Sequence, residues 1–309
     1  MLNLGLQEKI FLENMASLNF PEFSEGTPQE ARKIASHMIS KNEVKKKIFK
    51  IENFNISKNS LNFNVRVYWP SDEKNLPALL YFHGGGYVFG TLDHVDNICR
   101  KISKNTNHIV ISVDYSLAPE LKFPTQINEG VLALEWIVKN SDKLNLDINR
   151  ISISGDSAGG NLATVTTLIY SENITNPKIK SLILIYPVVD FNCCSSTYDK
   201  YETGLNLTKK DMLWFRENYL EDISLVNDWK ISPIYSDNLS NLPKTLIISA
   251  GLDPLQEEGY LFYEKLLNQN VKAEIEIYHQ TIHGFLWFEN ILDSGKDALN
   301  KISQFLQKI

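Results

Sequence analysis

The chain has 309 residues, 43% of them hydrophobic and 22% charged, with a formal net charge of −6. That length suffices for a large core, and a single α/β domain reaches it when it carries insertions. The negative balance excludes a general affinity for nucleic acid or anionic membrane, and the run Lys45-Lys46-Lys47 is too short to reverse it.

The opening, MLNLGLQEKIF, has no basic stretch, and Glu8 and Lys9 interrupt its apolar residues. No secretory signal is expected. Apolar runs such as IVISV and LILIYPVV are strand-length, too short to span a membrane. The three cysteines, Cys99 and the neighbours Cys193 and Cys194, make no disulfide framework and lack metal-ligand spacing. A reducing, cytoplasmic location is expected.

In chain order, residues 1–45 read as amphipathic helices broken by NFPEFSEGTP. Two strands follow, Lys47–Ile56 and Leu61–Tyr68, the second alternating through Leu61, Phe63, Val65 and Val67. ALLYF is a buried strand, then comes HGGGYVFG and a helix over Asp93–Lys104. HIVISVDY is a strand before a helix over Gln126–Lys143, with Val131, Leu134 and Val138 on one face. RISISGD leads into a helix after Ser157, and KSLILIYP is the next strand. KTLIISAG precedes a helix over Glu257–Leu267, and KAEIEIYH precedes a closing helix over Ile291–Leu306.

Apolar strands alternating with amphipathic helices predict an α/β fold, a mostly parallel sheet with helices on both faces. The gap from Pro187 to Lys244 is too long for a plain crossover and holds the helical stretch TKKDMLWFRENYL. It is expected to act, near residues 190–235, as an insertion that joins residues 1–45 in a helical cap over the catalytic domain, 46–309. In open α/β sheets, ligands bind at the C-terminal strand edge.

The chemistry centres on Gly155-Asp156-Ser157-Ala158-Gly159, at a strand-to-helix junction. Small residues allow the tight turn, and a serine at its apex stands free at a helix N-terminus. Such a nucleophile needs a base, an acid to orient the base, and donors for an oxyanion. His37, His94 and His108 fall in helices or at a strand start. His283 lies on a loop four residues past a predicted strand end, whereas His279 still belongs to that strand. Asp253 follows the strand Lys244–Ala250, although Asp before Pro254 also makes a helix cap. Asp190, Glu257 and Glu258 are the competing carboxylates. His83-Gly84-Gly85-Gly86 leaves successive amides bare of Cβ atoms.

These blocks resemble the hormone-sensitive-lipase-like family of α/β-hydrolases, bacterial esterases with HGGG and GDSAGG motifs. Here they stand as HGGG 83–86 and GDSAGG 155–160, with VDYSLAPE 113–120, DPLQEEG 253–259 and HGF 283–285 in family order. The resemblance runs from Leu76 to Phe285 and implies an α/β-hydrolase fold. It implies Ser157 as nucleophile, Asp253 as acid and His283 as base, with the N–H groups of Gly85, Gly86 and Ala158 as the oxyanion hole. It further implies a carboxylesterase acting on short- to medium-chain acyl esters without metal or cofactor.

The chain departs from the family at Ser116, where DYRLAPE has Arg, and in LKFPT and DPLQEEG. Asp114 and Glu120 are expected to brace the glycine loop. Tyr87, Phe89, Trp214, Phe215 and Trp287 are candidates for an apolar pocket. The competing readings are a small amidase or arylformamidase-like hydrolase, and a non-catalytic ligand-binding homologue. The expected partner is a small-molecule ester, with no nucleic acid and no membrane span; a homodimer is left open.

Overall fold

The computed structural model describes residues 3–38 and 45–309. Eight strands lie among them: β1 Lys50–Lys58, β2 Leu61–Trp69, β3 Leu76–Phe82, β4 Ile109–Asp114, β5 Leu146–Asp156, β6 Ser181–Ile185, β7 Lys244–Leu252 and β8 Ala273–Ile282. They form one sheet in the order β1-β2-β4-β3-β5-β6-β7-β8. β1 and β2 are a hairpin turned through Asn59, which tolerates the left-handed conformation (φ 55°). β2 also runs antiparallel to β4, and every later pairing is parallel.

The central strands are buried on both faces, so their sequences are continuously apolar instead of alternating. Strand period two divides them between two cores. Leu80, Phe82, Ile111, Ile153, Leu184 and Ile247 point to one layer; Leu79, Tyr81, Val110, Ile183, Leu246 and Ile248 point to the other.

Ten helices lie among the described residues. α1 (Leu6–Ser17) and α2 (Pro28–Met38) precede the sheet; α3 (Asp96–Thr106), α4 (Thr125–Lys139), α5 (Ser141–Leu144) and α6 (Ala158–Glu172) connect its first strands. α7 (Ser196–Lys200) and α8 (Lys209–Tyr219) occupy the long connection from β6 to β7. α9 (Gln256–Asn268) and α10 (Asp293–Leu306) follow. α4, α6 and α9 cover the first layer; α3 and α10 cover the second. Covered sheet faces are what the alternation of elements predicts.

Several expectations are corrected. α1 is not amphipathic: it buries Phe11 and Glu8 but leaves Leu6 and Ile10 exposed. Phe11 packs on Phe288 (4.4 Å), and Glu8 accepts from the Ser294 hydroxyl (3.0 Å). The buried face of α4 is Ile127, Gly130, Leu134 and Ile137, with Val131 and Val138 only half-buried. The helix is turned so that Gly130 meets α6, where a Cβ would lie 2.4 Å from Thr166 Oγ1. β8 continues three residues beyond the predicted end, because Leu252 of β7 pairs with Ile282 after a register shift. Residues 1, 2 and 39–44 of the expected cap lie outside the described residues.

The connection from β6 to β7 starts α8 with a reciprocal cap. Thr208 Oγ1 accepts from the Asp211 N–H (3.1 Å), and Asp211 accepts from the Thr208 N–H (3.2 Å) and hydroxyl (2.8 Å). The other Asp211 oxygen accepts from the Ser24 N–H (3.0 Å), tying the N-terminal segment to α8.

Candidate active site

β5 is central, and its C-terminal end carries Asp156 and Ser157. The glycines around the serine act through space, because positive φ falls on Ser157 itself. A Cβ on Gly155 would lie 2.1 Å from the Gly159 carbonyl oxygen, and one on Gly159 would lie 2.1 Å from that of Phe82. Ser157, with φ 55° and ψ −119°, is the strained residue. Its N–H donates to the Ile185 carbonyl (2.8 Å), and its own carbonyl accepts from Gly160, Asn161 and Val188. The turn is therefore held at both ends while the hydroxyl projects from the helix start.

His283 follows β8 directly, and Gly284 beyond it takes φ 79°. The His283 Nε2 lies 3.0 Å from Ser157 Oγ, and its Nδ1 lies 2.7 Å from Asp253 Oδ2. The second Asp253 oxygen accepts from the Leu255 N–H (2.9 Å). That bond fixes the carboxylate without making Asp253 the cap of α9, whose cap position is Leu255. Asp253 is 1% exposed and Ser157 and His283 8%, so the chain of contacts is screened from bulk water but reachable. With Nδ1–H donating to the carboxylate, Nε2 is free to accept from the serine hydroxyl.

The competing residues are elsewhere. His279 is exposed in β8. Asp190 accepts from Asn192 and from the Tyr235 hydroxyl (3.0 Å). Glu257 accepts from the Ser196 hydroxyl (2.7 Å). Glu258 is buried, accepting from the N–H groups of Val189 (2.8 Å) and Asp190 (3.2 Å) and from the Tyr198 hydroxyl (2.9 Å). Burial pushes its carboxyl up to about 8.

The glycine loop faces the serine. Gly85 (φ 115°) and Gly86 (φ 60°) need the left-handed region, and both line the pocket with Ser157. Among the described residues, nothing accepts from the N–H groups of Gly85, Gly86 or Ala158. His83 is structural: burial lowers its imidazole to about 4, its Nδ1 donates to the Gly84 carbonyl (2.8 Å), and its ring stacks on Tyr115 (4.2 Å).

The expected braces are partly different. Asp114 is half-buried at the end of β4, and burial raises its carboxyl above the usual carboxylate range. Ser116, at the departure from the family, gives its N–H (2.7 Å) and hydroxyl (2.6 Å) to buried Glu129. A cation does reach this block, from α2. Arg32 pairs with both oxygens of Glu120 (2.7 and 2.6 Å) and donates to the carbonyls of Val88 and Ala118, each at 2.9 Å.

A cavity of about 60 Å³ opens on Ser157, walled by Phe23, Phe89, Phe191, Met212, Phe215 and Trp287. Phe89, Phe215 and Trp287 were legible as aromatics near the motifs. Tyr87 is core, stacked on Tyr219 at 3.9 Å and donating to Asn161 (2.8 Å), and Trp214 lies off the pocket. Phe23 and Met212 carried no motif signal, because they reach the serine only through the packing of the N-terminal segment against the connection from β6 to β7.

A family model described as the α/β-hydrolase fold matches residues 79–287. The chain belongs to the hormone-sensitive-lipase-like family of α/β-hydrolases. An ethyl acetate hydrolase of Pseudomonas putida is 31% identical over 249 residues, covering 79% of this chain and 78% of that protein. A carboxylesterase of Mycobacterium tuberculosis is 31% identical over 242 residues, covering 77% and 75%. A solved esterase from the hyperthermophilic archaeon Pyrobaculum calidifontis superposes with a TM-score of 0.92 at 33% identity, covering 99% of each chain. This hydrolase is a carboxylic ester hydrolase. No helix among the described residues is long and apolar enough to cross a membrane.

Proposed function

We propose that this α/β-hydrolase cleaves short- to medium-chain acyl esters through an acyl-enzyme on Ser157. The observation that carries the reading is the 3.0 Å contact between His283 Nε2 and Ser157 Oγ, continued at 2.7 Å to Asp253. His283 takes the serine proton as Oγ attacks the ester carbonyl. Asp253 keeps the proton of the neutral imidazole on Nδ1 and stabilises the imidazolium that forms. The oxyanion receives the N–H groups of Gly85, Gly86 and Ala158, whose lack of other acceptors supports the assignment. Imidazolium protonates the departing alcohol. Water, deprotonated by His283, then attacks the acyl-enzyme and releases the acid and Ser157.

The acyl range rests on the pocket. At ~10–15 Å³ for each water-sized group, a cavity of about 60 Å³ holds about four to six such groups. That matches the acyl part of a short ester. The described part of residues 1–45 and the insertion near 190–235 form the cap in this reading, supported by Phe23 and by Met212 and Phe215 on the pocket wall. A cytoplasmic location is consistent with three unpaired thiols, Cys99, Cys193 and Cys194.

Ser157→Ala tests the reading. It removes one hydroxyl from a turn that already has Ala158 next to it. The expected outcome is a folded protein without esterase activity and without labelling by a fluorophosphonate. Activity above a few per cent of the parent would remove Ser157 from the mechanism.

A further inference from the structure

The acid that precedes the serine has no part in proton transfer from Ser157, yet it is among the most connected groups at the site. Asp156 is 2% exposed. Its Oδ1 accepts from the Tyr81 hydroxyl (2.8 Å), and its Oδ2 accepts from the Trp287 Nε1–H (2.9 Å). The Gly84 amide faces the same carboxylate, where a Cβ on Gly84 would lie 2.3 Å from Oδ2.

Three pieces of the site meet there. Tyr81 is next to last in β3, just before the glycine loop that starts at His83. Asp156 is covalently next to Ser157. Trp287 lies on the turn Phe285–Phe288 that follows His283 and Gly284. β3 and β5 are paired, with Phe82 beside Gly155, but β8 lies three strands away from β5, so the backbone ladder alone does not fix the His283 loop against the other two pieces to a few tenths of an ångström. The Asp156 carboxylate, accepting from Tyr81 on one side and Trp287 on the other, does, because hydrogen bonds to a charged group are short and strong.

We propose that Asp156 is a positioning residue for ester hydrolysis, which holds the His283 loop and the glycine loop in register with Ser157 through Trp287, Tyr81 and Gly84. The inference rests on the roles given above to Ser157 and His283. Trp287 is the informative partner. An indole N–H only donates, so its bond needs an acceptor, whereas the Tyr81 hydroxyl can reverse. Burial pushes the Asp156 carboxyl up to about 6 while the bonds from Tyr81 and Trp287 pull it down, so at pH 8 it is an anion with acceptors on both oxygens.

The test uses the full chain, a C4 p-nitrophenyl ester at pH 8, and active sites titrated with a fluorophosphonate, so that kcat is counted per competent serine. Trp287→Phe keeps an aromatic wall and removes the N–H. Its kcat should fall about ten- to a hundredfold, the scale of an ångström-sized misplacement, with KM within about twofold. Asp156→Leu should fall at least as far, and adding Trp287→Phe to it should cost little more, since the bond is already gone. Asp156→Asn should recover part of the loss, because its carbonyl can serve Trp287 while Tyr81 reverses to accept from the amide. A Trp287→Phe enzyme with kcat within twofold of the parent overturns the proposal. So do losses for Trp287→Phe and Asp156→Leu that simply multiply. If instead Ser157→Ala remains active, the roles of Ser157 and His283 fail first, and that result is separate from either outcome here.

Discussion

Arg32 of α2 meets Glu120 with two guanidinium nitrogens, at 2.7 and 2.6 Å, and gives further N–H groups to the carbonyls of Val88 and Ala118. Val88 in turn donates to the Gly85 carbonyl (2.9 Å), so a residue of the N-terminal segment grips the loop that bears Gly85 and Gly86. The N-terminal segment thus does more than cover the pocket. Arg32→Ala should lower kcat for a C4 ester about ten- to a hundredfold through displaced loop amides, with KM little changed. Arg32→Lys should not restore it, because one ammonium cannot match a planar fork spread over four acceptors. Steady-state kinetics on both variants decide this, and a parental kcat in Arg32→Ala would leave the contact without a catalytic consequence.

Phe23 contributes from the same segment in a different way. Its ring packs on Phe89 (4.8 Å) and Phe215 (6.1 Å) and walls the cavity. Phe23→Ala should add room without reaching Ser157, Asp253 or His283. The ratio of kcat/KM for C8 over C4 esters should rise, with fluorophosphonate labelling unchanged. An unaltered ratio would take the N-terminus out of the acyl pocket.

The two acid candidates separate cleanly. Asp253→Asn should lower kcat by about 10⁴-fold, because the amide favours the wrong imidazole tautomer. Asp190→Asn should change kcat little, as Asp190 serves Asn192 and Tyr235. His283→Ala should be as damaging as the Asp253 change, and His279→Ala, on an exposed position, mild. A severe Asp190 variant beside a mild Asp253 variant would reverse the assignment.

Glu258 makes a prediction about pH and stability. Its folded carboxyl is raised from the ordinary 4.5 to about 8, so the native state holds the proton more tightly than the unfolded chain. Its stabilising contribution is full below about pH 4.5 and is lost as pH rises through about 8. Thermal unfolding between pH 7 and 8.5 should therefore show Tm falling as pH rises. Glu258→Gln should flatten that slope. Its carbonyl serves the N–H groups of Val189 and Asp190, and its amide serves the Tyr198 oxygen, with no proton to lose. A slope unchanged by the substitution would mean that another group sets it.

Much of this protein was open to reading from its residues, for local reasons. Continuous apolar runs mark strands covered on both faces, and those positions carry the same information wherever the chain goes. Crowding at Gly155 and Gly159 is a feature of one tight turn, so it shows in a few residues. Ser157, Asp253 and His283 were nameable from motif order, since each sits at the end of a strand or just past it. What the sequence could not determine is whatever depends on how separate segments meet. The rotation of α4 follows from Gly130 meeting Thr166 of another helix, and the length of β8 from a register shift in β7. The cation that braces the glycine loop is Arg32 because α2 packs there; the position where the family carries arginine holds Ser116. Phe23, Met212 and the Asp156–Trp287 bond likewise have no local signature. Side chains far apart in sequence become neighbours only when burial of both sheet faces has brought their segments together, and the apolar forces that do this are non-directional.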